Sequence, residues 1–595
     1  MSNDTLVPAN QAAGTAALSA QTNLPPAEES PQAHRLPIMI TLVFGMFIAI
    51  LNQTLLNVAL PHLMSSFNVT ADTVQWLTTA YMLTNGVLIP ITAFLMGTFS
   101  TRQLFISAMS CFTIGTFICS IAPTFSIMVI GRVVQAAGSA IMIPLVMTVI
   151  LELFPIEQRG RAMGTMAIAM FFAPAIGPTL SGWMIMHWSW RLLFDVVIPL
   201  GVIDVLLGVF LLRNVSKPAR PKFEGTGMVL SLVAFFCLLY ALSEAGSKGW
   251  GDTAVRLSLI IGAVFLVLFV IRELTCKEPM LNLRVFRYGM FSLTTVIGAL
   301  INMSMYGGMI LTPIYMQNIR GFSALQSGVV MLPGAILMGL MSPISGALFD
   351  KLGARPLALV GLGITIGSTY EFTLLNDSTT YGHIMLLYTI RMLGMSLLMM
   401  TVQTAGMNQL PRELYRHGTS ASNTARTIAS SIGTAILVTV MTSRTKVHYE
   451  EFRDTMTSTN SYVNGMFHEL TQYFATQLHG SIANGTIAAR QVLYDLAEQQ
   501  STIYGINDAF WWATIGTAIA FVLSFFIRHI KQPAMAAAGA ASGGAAASAV
   551  TPGSEAASGQ NVTDAIQAPA EESPSDGEPE PLAQAEQEVA AHQEG

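Results

Sequence analysis

Apolar runs of about twenty residues, each long enough to cross a bilayer's hydrocarbon core as a helix, recur along this chain. They fall at 36–60, 74–98, 104–122, 126–151, 164–186, 193–213 and 226–243. They continue at 254–271, 290–312, 324–348, 356–375, 382–406, 418–442 and 508–530. Lipid offers no hydrogen bonds, so each backbone N–H and C=O in such a run must be satisfied within the protein, and a helix does this locally. The expected fold is an all-α polytopic membrane protein with about fourteen transmembrane helices. Of the 595 residues, 52% are hydrophobic and 11% charged, and the mean hydropathy is +0.55. That composition excludes a soluble globular protein. The net charge of −5 resides in loops and tails and identifies no partner; the lipid bilayer is expected as one, nucleic acid is not. Cys111, Cys119 and Cys237 fall inside apolar runs, and Cys276 in a predicted cytoplasmic loop. All four read as small buried residues, neither disulfides nor metal ligands.

Lys and Arg in the short loops set the orientation. With the N-terminus inside, one set of loops holds Arg102, Arg159, Arg161, Arg213, Lys217, Arg220, Lys222, Arg272, Lys277, Arg284, Arg287, Lys351, Arg355, Arg412 and Arg416. The opposite short loops hold Arg191, Lys248, Arg256 and Arg320. Both termini are therefore expected in the cytoplasm, with the protein multi-pass in the cell membrane. Residues 1–34 lack the basic start and apolar core of a signal peptide and read as a disordered arm. The segment 444–507 is a long polar stretch expected outside, with a short amphipathic helix at 484–500. The Ala-, Gly-, Pro- and Glu-rich tail 532–595 reads as disordered and acidic.

One span departs from a plain lipid-facing helix. The stretch from Ala167 to Trp183 carries Pro174, Gly177, Pro178 and Gly182. Two prolines remove two backbone donors and bend a helix, so this one should lie among neighbours. Ala173, Gly177 and Ser181 recur every four residues, a small-residue stripe that admits another helix closely. The stripe reads either as a plain packing surface or as a hinge or seal between two moving bundles.

The chain also repeats a set of devices. Arg132-Val-Val-Gln-Ala-Ala-Gly138 and Arg391-Met-Leu-Gly-Met-Ser-Leu397 each open an apolar run that ends in a proline turn, at Pro155 and Pro411. Upstream of each lies a glycine and a short basic loop, Gly97 to Arg102 and Gly346 to Arg355. Same-orientation repeats are a transporter architecture. The order predicts a six-helix half at 35–216, an inserted two-helix hairpin at 217–275 and a second six-helix half at 276–531.

These residues resemble the major facilitator superfamily, and within it the fourteen-span drug:proton antiporter family. The resemblance spans about 36–531. Asn52 to Pro61 is similar to that family's first-helix motif, Arg132 with Gln135 and Gly138 to its fourth-helix motif, and Ala173 to Gly182 to its fifth-helix antiporter motif. Gly346, Asp350, Gly353 and Arg355 match its cytoplasmic gating loop in the second half. Within the family the chain is similar to the branch of lincomycin-type resistance in Gram-positive bacteria. Two departures stand out. Asn52 occupies a position where the family commonly has a proton-binding aspartate. Ser100 and Thr101 stand where the first-half loop usually has one, which leaves the gating ion pair to the second half.

An ionisable group inside a span is costly unless paired or wet, so it is a functional candidate by default. Arg132 either polarises a carboxylate or water in a central cavity, tuning its protonation, or donates to carbonyls as a structural tie. Arg391 holds the equivalent place in the second half, and Arg426 reads as a snorkelling or gating arginine. Asp204 is the carboxylate placed nearest the middle of a span and is the candidate for carrying the coupling proton. Glu152 and Asp195, at span ends, are relay stops or interface residues. Asn52, Gln53 and Asn57 bind by hydrogen bonds but carry no proton, and Gln135 joins them as a cavity residue. The chain has 35 methionines; Met303 and Met399 lie in spans expected to line the centre, where flexible thioethers suit many apolar shapes. The alternative is that methionine is only another lipid-compatible side chain.

The sequence has no Walker loop, metal cluster or nucleophile constellation, so no catalytic residue, cofactor or enzyme activity is expected. Uphill transport without a nucleotide site needs an ion gradient, and protons suffice where carboxylates exist. The reading is a monomeric, proton-coupled multidrug or toxic-compound exporter of small amphipathic substrates, working by alternating access. The alternatives are a dedicated exporter of one metabolite or lipid precursor, and a non-transporting membrane sensor or scaffold.

Overall fold

The computed structural model describes residues 35–215, 224–455, 461–477 and 482–528. The arm at 1–34, the whole tail at 532–595, and the linker between the first half and the hairpin lie outside the described residues. Fourteen of the described helices are long and apolar enough to cross a membrane. In the first half these are α1 (Arg35–Phe67), α2 (Thr73–Thr98), α3 (Thr101–Ile121), α4 (Phe125–Leu153), α5 (Arg159–His187) and α6 (Leu192–Leu211). The hairpin is α7 (Gly225–Lys248) and α8 (Thr253–Thr275). The second half holds α9 (Gly289–Ile319), α10 (Ala324–Leu352), α11 (Ala354–Leu374), α12 (Tyr381–Met407), α13 (Tyr415–Thr455) and α15 (Ile482–Ser524). The short α14 (Ser461–Gln477) lies between the last two.

Helix starts follow local chemistry. Ser100 and Ser323 each form a capping box, with Gln103 and Gln326, and so satisfy donors that lack partners in a first helical turn. The serine in place of the family's aspartate thus has a local task. Asp252 accepts the N–H groups of Ala254 and Val255 at the start of α8. Gly353 turns the chain from α10 into α11 at φ +81°, a backbone conformation few other residues tolerate.

Two seams join the halves. Along one, α5 packs against α10; along the other, α2 packs against α13. The hairpin lies beside the second seam, since α7 touches both α2 and α13. Its partner α8 is the least buried of the spans. Leu257, Ile260, Val264 and Val267 project from α8 as an exposed apolar face suited to lipid.

The polar segment 444–507 differs from expectation. Its described residues are almost wholly helical, not a loop with one short helix. α13 and α15 run on beyond the apolar part of their spans, and α14 packs against α15 there. Trp511 and Trp512 are exposed on α15, where aromatic residues mark a membrane interface. Everything in α15 before them projects past that level. Arg444 and Asp508 pair at 2.5 Å, and His448 reaches the same carboxylate at 3.0 Å, so the two long helices are clasped at the base of the projection.

Candidate functional site

The interior of the first half is organised by Arg132 on α4, which is fully buried. Its Nη1 donates to Asn52 Oδ1 at 3.0 Å and to Gln135 Oε1, and its Nε donates to the Leu77 carbonyl at 3.3 Å. Gln135 Nε2 donates onward to Thr116 Oγ1 at 2.7 Å. The guanidinium lies over the Tyr81 ring, 4.2 Å from its centroid. The Tyr81 hydroxyl and Asn85 Nδ2 both reach Ser139 Oγ, at 2.8 and 3.0 Å. Three candidates named from sequence, Asn52, Arg132 and Gln135, therefore meet in one network, a cation held by neutral partners. Asn52 sits where a family aspartate would neutralise this cation, and here it supplies an amide oxygen instead. Tyr81, Asn85, Thr116 and Ser139 were not legible as members; isolated polar residues in a span give no signal of which neighbour they face. Gln53 is half-buried outside this network, and the side chain of Asn57 lies outside the described residues.

Asp204 on α6 is also fully buried, but elsewhere. A side chain at Gly45 of α1 would run into its carboxylate, and Met142 and Phe105 flank the same spot. Gly45 and Asn52 are seven residues apart on α1, so the two polar centres lie about 10 Å apart along that helix. Neither carboxylate oxygen has a hydrogen-bond donor. The expectation that Arg132 faces a carboxylate is not met: among the described residues it has no ion pair. Glu152, at one end of α4, interacts electrostatically with Arg416 of the other half. Asp195 accepts a hydrogen bond from Ser120 at the opposite end of the first half and is exposed. A buried carboxylate that the sequence did not mark, Glu273 on α8, accepts the Leu281 N–H at 3.0 Å and ties the hairpin to the following turn.

In the second half Arg391 is equally buried, and its partner is Ser304, whose carbonyl lies 2.6 Å from Nη2. Its Nε and Nη1 have no partner. Gly308 lies flat against the guanidinium, where any side chain would collide with it. A third guanidinium, Arg426 on α13, binds Gln403 Oε1 and lies 3.6 Å from Met399 Sδ. Met399 thus faces a charged pocket. Met303 instead packs by its backbone against Gly433 of α13, so the methionines do not share one surface.

The halves close on each other at the end of the molecule that carries most loop arginines. Asp350 Oδ1 and Oδ2 accept the backbone N–H groups of Gly160 and Arg161, at 2.9 and 3.1 Å. The carboxylate sits at the first turn of α5, where the helix dipole favours negative charge. This corrects the expected gating ion pair: Asp350 grips backbone of the opposite half, and Arg355 is exposed. Gly160 and Gly346 bring their backbones together so closely that neither could carry a side chain unshifted. Arg159, which sequence marks only as a loop charge, is buried and donates to Asn408 Oδ1 of the other half at 2.9 Å. Deeper in, Thr148 meets Thr419 at 2.8 Å and Thr92 meets Ser420 at 2.7 Å.

The stripe on the second part of α5 has a different neighbour. Ser181 Oγ donates to the Leu55 carbonyl at 2.6 Å, and Gly177 lies against Thr54. Both contacts are to α1, inside the same half. Gly182 has open space where a Cβ would stand, and Pro174 is half-buried. The seal expected from the stripe is found at the other end of α5, where Gly160 and Gly164 meet Ser342, Pro343 and Gly346 of α10. A Gly-x-x-x-Gly spacing was the available signal.

Two packed halves with buried polar centres on either side of a seam define a membrane transporter. The family profile of the Major Facilitator Superfamily matches residues 42–434, and the chain belongs to that superfamily. It is 50% identical over 505 residues to the uncharacterized MFS-type transporter YhcA of Bacillus subtilis, covering 85% of this chain and 95% of that one. It is 42% identical over 417 residues to the lincomycin resistance protein LmrB of Bacillus subtilis, covering 70% and 87%. In fold it is similar to the crystal structure of the human organic anion transporter MFSD10 (TETRAN), with a TM-score of 0.53 at 10% identity, over 82% of this chain and 99% of that one.

Proposed function

We propose that this protein is a proton-coupled exporter of amphipathic toxic compounds, multidrug in range, monomeric, in the cell membrane with both termini in the cytoplasm. The halves at 35–216 and 276–531 rock about a site near the bilayer midplane. The observation that carries this reading is the seam at the arginine-rich end. A helix-capping carboxylate, two glycines and pairs of hydroxyls join the halves there, and water can replace these polar contacts when the halves part. The likeness to a lincomycin resistance protein supports export of drug-like compounds. Asp204 is assigned the coupling proton, because it is a buried carboxyl with no fixed partner while Asn52 cannot titrate. Reconstituted protein with an imposed pH gradient tests this. Wild type should drive substrate uphill. Asp204→Asn should bind substrate but equilibrate it only downhill. Uphill efflux by that variant at the wild-type rate would remove Asp204 from coupling.

A further inference from the structure

Four titratable side chains meet where α13 and α15 cross at the base of the projection: Arg444, His448 and Glu451 of α13, and Asp508 of α15. The helices come close there, for a side chain at Gly505 of α15 would strike the Met441 carbonyl and Thr445. The His448 ring lies 5.4 Å from that of Tyr504, which stacks in turn on Phe452 at 5.9 Å. The His448 side chain keeps 17% of its surface, so it is packed, yet water reaches it and a proton can come and go. The proposed transport uses none of these groups.

Both ring nitrogens of His448 face carboxylates. Nδ1 lies 3.1 Å from Glu451 Oε2, and Nε2 lies 3.0 Å from Asp508 Oδ2. An ionised carboxylate only accepts hydrogen bonds, so both nitrogens must donate, and imidazolium alone has two N–H groups. Charge agrees. With His448 protonated the cluster holds two cations and two anions, and with it neutral one anion is left over. Arg444 sets what the neutral ring would do. Its Nε pairs with Asp508 Oδ2 at 2.5 Å, and its Nη2 stands 3.4 Å from His448 Nε2. A neutral ring that keeps its proton on Nδ1 holds Glu451 and offers the Nε2 lone pair to Arg444. The bond to Asp508 is then lost, and it is the one that crosses between the helices. What remains of the charged joint is an ion pair whose partners are 44% and 35% exposed, and such pairs hold little alone.

The elements packed around this joint bring other chemistry. The hairpin meets α13 through Trp250, whose Nε1 donates to Thr439 Oγ1 at 2.7 Å, and its Lys248 is held by Glu244. α15 reaches α9 and the turn after α11 through Gln499 and Asn507, which donate to the Ile319 and Leu375 carbonyls. Arg320, next to Ile319, lies over the Phe322 ring. α14 touches α15 farther out, at Gly485. We propose that the cluster is a pH-dependent clasp, which fastens α13 to α15 at two points when His448 is protonated and at one when it is neutral. Acid on that side of the membrane therefore stiffens the base of the projection. That side is the outside on the proposed topology.

The test uses the full chain, purified in detergent, with the four native cysteines replaced and Arg453→Cys and Glu498→Cys added. Both positions are exposed beyond the joint, one on each helix. Spin labels there report the distance between the helices by pulsed electron paramagnetic resonance, at about pH 5.5 and about pH 8, on either side of the imidazole range. In this parent the distance distribution should be narrow in acid and wider in alkali. Adding His448→Gln, whose amide has donors on one atom only, should give the wide distribution at both pH values. Arg444→Gln removes the attachment that does not titrate and should enlarge the difference. A parent distribution of equal width at both pH values overturns the clasp, as does one wider in acid. A pH-dependent width that survives in His448→Gln puts the titration on another group and overturns it too. The labels report the joint alone, so a failure of proton-coupled efflux leaves this result untouched.

Discussion

The two ends of α5 carry the same kind of surface and make opposite kinds of joint. Toward its start, Gly160 and Gly164 face α10 across the seam between halves. Toward its finish, Ala173, Gly177 and Ser181 face α1 within one half. Both are small residues spaced by four, and both allow backbones to approach closely. What differs is the accompanying chemistry. The within-half joint adds hydroxyl-to-carbonyl bonds, from Ser181 to Leu55 and from Thr54 to Ala173, at 2.6 and 3.5 Å. The seam adds a carboxylate on backbone amides, which water can replace when the halves part. Small-residue spacing sets how near two helices come, and the polar groups beside it set whether they stay.

The strongest way to break this comparison is Gly177→Leu. Its side chain would meet both the side chain and the backbone of Thr54, in a joint with no alternative position. Overpacking of this kind costs about 1–3 kcal/mol or more. The yield of monodisperse protein on size exclusion should collapse, and a wild-type yield would show that α1 and α5 can part. Gly160→Leu sharpens the comparison at the other end. A Cβ there would strike Asp350 and Gly346, and come within 2.7 Å of Phe349. On the proposed alternating-access reading this seam opens, so the protein should fold normally but fail to close. A cysteine at Thr148, in a background without the four native cysteines, should then react with a thiol reagent several times faster than in the parent. Unchanged labelling would mean that the seam tolerates the bulk. The smallest effect belongs to Asp350→Asn, which keeps one of the two acceptors but loses the other along with the charge at the first turn of α5. About 1 kcal/mol of closure energy should go, read as a modest rise in the same labelling rate. A change as large as that of Gly160→Leu would make the carboxylate, not the glycines, the main hold.

Much of this was legible in the sequence for a simple reason. Span positions follow from hydropathy alone, since lipid imposes one requirement on every residue of a run. Arg132, Arg391 and Asp204 stood out because charge is rare in such runs. Facing is another matter. Most residues of a span are apolar or small, so periodicity does not tell which neighbour Gly177 meets, and the stripe stayed open between a packing surface and a seal until its contacts to α1 placed it inside one half. Arg159 looked like any loop arginine, because burial by a second half cannot be seen in a local window. The projection at 444–507 was read as mostly loop, since its polar composition hides a helix that buries Gly485, Ala489 and Leu493 against a short companion.

That projection makes α15 a lever. The helix is continuous from Ile482 through Trp511 into the membrane, and this outer arm is about 44 Å long at the usual rise per residue. Each degree by which the span tilts carries the tip about 0.8 Å sideways. Under the proposed rocking of the second half, a movement small at the seam would be large at the tip of this arm, where a label near Ile482 would register it.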